Sequence, residues 1–282
     1  IEKDGLEEVS DSVCPPTVEN REQFLQAVRN SGSIGLGGAG FPTSLKLGFD
    51  PKEKQPDFLI INGAECEPYI TSDYRCFMEE GEDVLEGVLL MLKYLGIPKC
   101  IIGIEKNKPK AIEKMTRLCE KHDNITVKPL KSSYPQGAEK TLIFSTTGRV
   151  VKEGTLPLAS GCIVVNSSTV AFIAQYIRTG MPLVKRRITV DGNIVKKPSN
   201  FIVPVGMSIG EIVYYAELSD KPDRIILGGP MMGACAFDPD YPLSKTNNAV
   251  LMFADSPVYE PSECIRCGKC VKAWSMHLLP TE

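Results

Sequence analysis

Between residues 20 and 180 short apolar runs alternate with amphipathic segments, and this alternation restricts the fold more than any other feature of the chain. The runs at 57–62 (DFLIIN), 99–105 (KCIIGIE), 125–130 (ITVKPL) and 161–166 (GCIVVN) read as strands, the first suited to burial on both faces. Between the first two, Leu85, Val88, Leu89, Leu92 and Leu95 recur at helical spacing, and Gly96 followed by Pro98 closes that helix. Residues 107–122 (NKPKAIEKMTRLCEKH) and about 168–178 predict two more helices. Asn20 with Gln23 resembles a capping box ahead of Phe24, Leu25 and Val28. Strands alternating with helices imply a parallel sheet with helices on both sides, so residues 1–180 are expected to form a Rossmann-like α/β domain.

After Gly180-Met181-Pro182 the pattern changes. Asp191-Gly192 inside RRITVDGNIV predicts a tight hairpin, followed by a short helix (SIGEIVYYA) and strands at DRIILGG and AVLMF. That order predicts a small β-grasp-like α+β domain over 181–255, with a Pro-punctuated tail at 256–282. A chain of 282 residues is long for one average domain. A net charge of −3 offers nucleic acid no electrostatic purchase. No apolar stretch approaches the ~18 residues that span a bilayer. The longest, around 84–95, is interrupted by Glu86, Gly87 and Lys93. No internal repeat or low-complexity tract is present.

Three of the ten cysteines, Cys264, Cys267 and Cys270, stand in CIRCGKC. This spacing opens the bacterial ferredoxin pattern, in which thiolates wrap a [4Fe–4S] cluster. The fourth Cys and the Pro of that pattern would fall where Trp274 and Ser275 stand. A zinc site would bring two separated ligand pairs, often with His, and the sequence offers only His122 and His277. An indole cannot ligate iron. Trp274 therefore reads either as a natural residue packing on Met276 and Leu278, or as a replacement for selenocysteine, whose UGA codon is one base from UGG. Cysteines 14, 66, 76, 100, 119, 162 and 235 are scattered singly, several inside apolar runs where a thiol acts as a small hydrophobe. That usage suits a reducing cytoplasm.

Gly35, Gly37, Gly38 and Gly40 formally match G-x-G-x-x-G. A dinucleotide fingerprint, however, follows a strand directly, and here a helix ending near Ser31-Gly32 precedes it. What remains is the physics: four glycines let backbone N–H groups approach a phosphate closely, Lys46 adds a cation, and Phe41-Pro42-Thr43 stiffens the segment. Residues 62–68 (NGAECEP), 134–139 (YPQGAE) and 165–168 (VNSS) stand at or after the carboxyl ends of predicted strands, where open α/β sheets bind ligands.

GLGGAGFPTSLKL followed by INGAECEPYITSDYR closely resembles the RnfC family of electron-transport subunits, across essentially the whole chain. It is more distantly similar to the FMN- and NADH-binding flavoprotein subunit of respiratory complex I. It also resembles the soluble RnfC paralogue associated with proline reductase in amino-acid-fermenting anaerobes. The resemblance implies non-covalent FMN in the α/β domain, NADH as hydride donor, electrons leaving through [4Fe–4S] clusters, and other subunits of an electron-transfer complex as partners. Location would be cytoplasmic, or peripheral on the cytoplasmic face of a membrane. By motif, Gly35, Gly37, Gly38 and Gly40 would lie near the phosphates with Lys46, and Asn62 would hydrogen-bond the isoalloxazine. Glu65 and Glu67 would stand near flavin and nicotinamide, with Glu67 and Glu139 taken as the catalytic acids. Tyr134, Gly137 and Glu139 match a Tyr-x-x-Gly-Glu-Glu segment in which Ala138 replaces the first Glu. Asn166 and Ser167 match the Asn-Asn that holds the flavin phosphate, with Ser for one Asn. Cys264, Cys267 and Cys270 would ligate metal. The family further implies a lipoyl-like barrel before IEKDG and a second cysteine run after Glu282, so the chain reads as part of a longer protein. A second function, a non-catalytic docking and electron-relay subunit, stays open on sequence.

Overall fold

The computed structural model describes residues 8–254, 260, 262–273 and 279. Trp274, and with it the reading of the fourth ligand position, lies outside the described residues. Helices α1 (Arg21–Asn30) and α2 (Thr43–Leu47) precede β1 (Phe58–Gly63). Then follow α3 (Ser72–Glu79), α4 (Gly81–Leu95), β2 (Lys99–Glu105), α5 (Pro109–Cys119), β3 (Ile125–Leu130), α6 (Glu139–Thr147), β4 (Cys162–Asn166) and α7 (Ser167–Thr179). The four predicted strands form within a residue of their expected positions and pair in parallel in the order β3-β2-β1-β4. The chain steps outward from β1 to β3, then returns to place β4 on the other side of β1. That reversal makes the carboxyl ends of β1 and β4 the topological switch point, the place at which open α/β sheets bind ligands.

Period-two alternation assigns each strand residue to a face. Leu59, Ile61, Ile163 and Val165 join the large core beneath α1, α3, α4, α5 and α7. Ile60, Cys162 and Val164 face the opposite layer with Leu142 and Ile143 of α6. In α4 the stripe is centred differently from the expected one. Val84, Gly87, Val88, Met91 and Leu95 are buried, while Leu85 and Leu89 are only partly covered. Gly87 lies against α7, where a Cβ would run into the Val170 carbonyl and come within 2.7 Å of Val170 Cγ1. The capping box on α1 is half formed: Asn20 Oδ1 accepts from the Gln23 N–H, while Gln23 Oε1 takes the N–H of Glu19 instead.

A second, mixed sheet follows in the order β6-β5-β9-β7-β8. Its strands are β5 (Lys185–Asp191), β6 (Ser199–Pro204), β7 (Arg224–Leu227), β8 (Ala234–Ala236) and β9 (Ala249–Phe253). Helix α8 (Ile209–Ala216), opened by a complete Ser208/Glu211 capping box, covers its core. Strands β5 and β6 are antiparallel as expected, but Asp191-Gly192 is not their turn. Val190 pairs with Ser199, so the connection runs through 191–198. Gly192 (φ 137°) instead lies flat on β9, where any Cβ would run into the Met252 carbonyl. The glycine answers a close approach between strands, not a two-residue turn. Helix α9 (Lys269–Ala273) lies in the described part of the tail. Among the described residues no helix is long and apolar enough to cross a membrane.

The two sheets are joined by specific contacts. Thr189 Oγ1 accepts from the Thr71 N–H (3.0 Å), and Asn200 Nδ2 donates to Thr71 Oγ1 (2.8 Å). Arg187 pairs with Glu79 and Glu80 of the first domain's helix region. Ile70 packs with Ala249 and Leu251.

Candidate functional site

The glycine loop is a closed ring. Ile34 bridges to Pro42, the Gly35 N–H donates to the Phe41 carbonyl (2.9 Å), and the Gly40 N–H donates to the Gly35 carbonyl (3.1 Å). Leu36 is anchored inward, its N–H donating to Thr169 Oγ1 of α7 (2.9 Å). The next three residues are exposed, and the N–H groups of Gly37, Gly38 and Ala39 meet no acceptor among the described residues. Gly38 sits at φ 103° with nothing within 4 Å of where a Cβ would stand, so its position faces open space. A run of solvent-facing amides around a left-handed glycine is the geometry that binds an anion.

The strand ends close around this ring. Asn62 and Asn166 are register neighbours on β1 and β4. A Cβ on Gly37 would lie 3.1 Å from Asn166 Nδ2, so the loop rests on the end of β4. Asn166 caps α7 through the N–H groups of Ser168 and Thr169 and donates to Asp73 Oδ2 (2.7 Å). Ser167 is enclosed, its hydroxyl without a hydrogen-bond partner among the described residues, while Ser168 donates to Asp73 Oδ1 (2.7 Å). Lys46 reaches from α2 to the Val164 carbonyl (3.1 Å) and to Glu139, the first residue of α6 (2.7 Å). Asn62 ties two loops together, donating to the Gly137 carbonyl (3.0 Å) and accepting from the Ala64 N–H (3.1 Å). Gly137 is packed too closely for a side chain, since a Cβ would come 2.5 Å from the Ala64 carbonyl oxygen and 3.3 Å from Cys66 Sγ. The exposed amides of Gly37 to Ala39 are donors of the kind that suit an anion's oxygens, while the Lys46 ammonium is held by Glu139.

Glu65 and Glu67, adjacent but for one residue, have different surroundings. The Glu65 side chain is 3% exposed and caps α3, accepting from the Asp73 N–H (2.7 Å) and the Tyr74 N–H (3.2 Å). It also pairs with Lys108 (2.9 Å), which stands 3.8 Å from buried Glu105. Burial outweighs the lysine and pushes the Glu65 carboxyl up to about 7, and burial also raises Glu105. A folded carboxyl raised from 4.5 to about 7 binds more proton than the unfolded chain between those values. Its contribution is thus complete below pH 4.5 and lost as pH rises through 7. Relative to Glu65→Gln, the wild-type chain is expected to lose on the order of 3 kcal/mol between pH 4.5 and 8. Urea unfolding of both proteins across that range measures it, and parallel curves would refute the shift. Glu67, in contrast, reaches the second sheet. Its carboxylate accepts from the Met231 N–H (2.9 Å), and Gly229 leaves room that a Cβ would fill. Burial raises the Tyr134 phenol above its ordinary value, and Glu67 and then Cys66 lie close enough to raise it further.

The comparisons with known proteins bear on this geometry. Residues 28–175 match the family described as the Nuo51 FMN-binding domain. The chain belongs to this family. It is 40% identical to an RnfC-type subunit of the proton-translocating ferredoxin:NAD(+) oxidoreductase complex of Clostridium ljungdahlii, over 100% of the chain and 62% of that protein. It is 39% identical to the corresponding subunit of the Na(+)-translocating complex of Acetobacterium woodii, over 99% of the chain and 64% of that protein. The resemblance to RnfC subunits drawn from the motifs is thereby borne out. The chain spans less than two thirds of the length of these relatives. In fold it is similar to a chain of an NAD+-reducing [NiFe]-hydrogenase, with a TM-score of 0.70 at 23% identity over 86% of this chain and 48% of that one.

Within the family fold, several residues that fix the site's geometry were not among the expected site residues, although Asp73 stands inside the INGAECEPYITSDYR block. Asp73 locks Asn166 and Ser168, Lys108 balances Glu65 and Glu105, and Thr169 holds Leu36. Each is a lone polar residue in an ordinary helix or at its edge, and only the packing of α3, α5 and α7 against the strand ends brings them there. Cys264, Cys267 and Cys270 are exposed, with left-handed Arg266 and Gly268 on either side of Cys267. Among the described residues they do not converge as a metal-ligand set.

Proposed function

We propose that the chain holds FMN between the glycine loop and the ends of β1 and β4, takes reducing equivalents from NADH there, and is the electron-input subunit of a larger complex. The observation that carries this reading is the run of N–H groups from Gly37 to Ala39 that meet no acceptor among the described residues, with Gly37 resting on Asn166 at the switch point of the parallel sheet. When bound, the flavin supplies the conversion between two-electron hydride and single-electron chemistry. The residues supply the rest. Gly37, Gly38 and Ala39 donate to phosphate oxygen, Gly35 and Gly40 close the ring, and Lys46 balances the charge. Glu139 fixes the Lys46 ammonium, while Asn62, Asn166 and Gly137 set the floor of the site. Glu65, near neutral pKa, holds or releases a proton at the strand end. Glu67 and Tyr134 line the side towards the second sheet. In this reading residues 1–180 are the cofactor domain, 181–255 the β-grasp module and 256–282 a partial ferredoxin-like tail. The three tail thiols form no ligand set among the described residues, so no step is assigned to them.

Titration with FMN, read by flavin fluorescence, is expected to give one flavin per chain, and NADH is then expected to bleach its absorption. Gly38→Val forces a β-branched residue to positive φ and fills the open space. It is expected to weaken FMN by about 100-fold or more, some 3 kcal/mol. Lys46→Ala is expected to weaken FMN and slow the bleaching. A wild-type chain that takes up no flavin would overturn the reading in favour of a docking subunit.

A further inference from the structure

Arg186, the second residue of β5, belongs to the second sheet but ends beneath the glycine loop. It is 5% exposed, and all of its partners are carbonyl oxygens: Leu36 (3.1 Å), Lys245, and Arg187 (3.3 Å). It forms no ion pair among the described residues, and Asp73, already bonded to Asn166 and Ser168, acts on it only at longer range. Burial lowers it to about 10, still charged at neutral pH. An enclosed cation without a counter-charge is costly unless something compensates it.

The hydrogen bond to Leu36 shows what this charge does. In a trans peptide the carbonyl and the following N–H point in opposite directions. With the Leu36 carbonyl drawn in towards Arg186, the Gly37 N–H must face outward, into the open side of the ring. A cation on the carbonyl also polarises the peptide and strengthens that N–H as a donor. The rest of the loop is braced from the same side. Lys245 Nζ donates to the Gly32 carbonyl (2.9 Å), and the Thr246 methyl would lie 2.7 Å from a Cβ on Gly40.

We infer that Arg186 is a positioning residue for a phosphate-bearing ligand, orienting the 36–37 peptide and supplying the positive charge that the ligand's anion neutralises. The inference rests on the proposed use of the glycine loop and makes the second sheet part of the cofactor site.

The test compares the 282-residue chain with Arg186→Gln and Arg186→Lys, using FMN, riboflavin, NADH added to flavin-loaded protein, and inorganic pyrophosphate. Arg186→Gln is expected to weaken phosphate-bearing ligands by about 10–100-fold, the worth of a charge-assisted hydrogen bond. Riboflavin, which lacks the phosphate, is expected to change less than about threefold on the same ground. Arg186→Lys is expected to recover most of the affinity. A loss confined to FMN assigns the anion to the flavin phosphate, and one confined to NADH assigns it to the dinucleotide. An equal loss for FMN and riboflavin, or none for any phosphate ligand, overturns the inference. Hydrogen exchange on the wild-type chain decides the matter if the variants do not fold. Pyrophosphate should slow exchange at Gly37, Gly38 and Ala39, and unchanged exchange overturns the inference. Pyrophosphate protection in a chain that takes up no flavin would refute the flavin reading while leaving Arg186 its role.

Discussion

Lys108→Met is expected to cost the fold about 3–5 kcal/mol at pH 8, the loss seen when one partner of a buried ion pair is removed. The side chains of Glu65 and Glu105 are 3% and 2% exposed, and Lys108 is the cation both of them face. Its ammonium also donates to the Glu65 carbonyl (3.2 Å), fixing the loop that follows β1. Methionine fills much of the volume but leaves two enclosed carboxylates with no counter-charge. The chain's recourse is to protonate them, so the cost is expected to shrink as pH falls towards 5. Adding Glu65→Gln should restore part of the loss at pH 8 and little at pH 5. Urea unfolding at the two pH values measures both effects. A cost below about 1 kcal/mol at pH 8, the range of an exposed pair, would show that the cluster is solvated.

Gly87→Ala is the second large effect, and here the sign separates two arguments. Helix propensity alone predicts that alanine in the middle of α4 stabilises by roughly 0.5–1 kcal/mol. Packing predicts the reverse. The new methyl would collide with the carbonyl of Val170, and backbone inside a helix cannot swing aside as a side chain can. Helices α4 and α7 would have to separate, loosening Val84, Val88 and Met91 in the large core. Overpacking of this kind costs about 1–3 kcal/mol. Because the obstruction is main chain, a net loss near the top of that range is expected. The displacement also reaches the site, since α7 carries Thr169 and is capped by Asn166. Thermal unfolding reads the stability, and FMN affinity reads the site. A stabilised variant would mean that the two helices part easily.

Much of this protein was legible from residue order. Short apolar runs alternating with amphipathic helices point to a parallel sheet, so layers and strand positions followed from pattern, although β3 lies at the sheet edge with Thr126, Lys128 and Pro129 exposed. The glycine ring was also local. Four glycines in six residues have few other uses, and the loop closes on itself through Gly35, Gly40 and Phe41.

What tertiary structure decided is everything that depends on which surfaces meet. Asp191-Gly192 has the composition of a tight turn, yet Gly192 is there because β9 passes too close for a side chain. Gly87 looks like an interruption in a helix and is the point where α7 touches. Glu65 and Glu67 are chemically identical and nearly adjacent, but one turns under α3 to Lys108 and the other out to Met231. Arg186 stands 150 positions from Leu36 in the chain and meets it only because the second sheet docks beneath the loop. Periodicity is written residue by residue, since a strand or helix repeats within a few positions. Close approach and charge balance are properties of pairs from distant segments, and they exist only once the chain has folded.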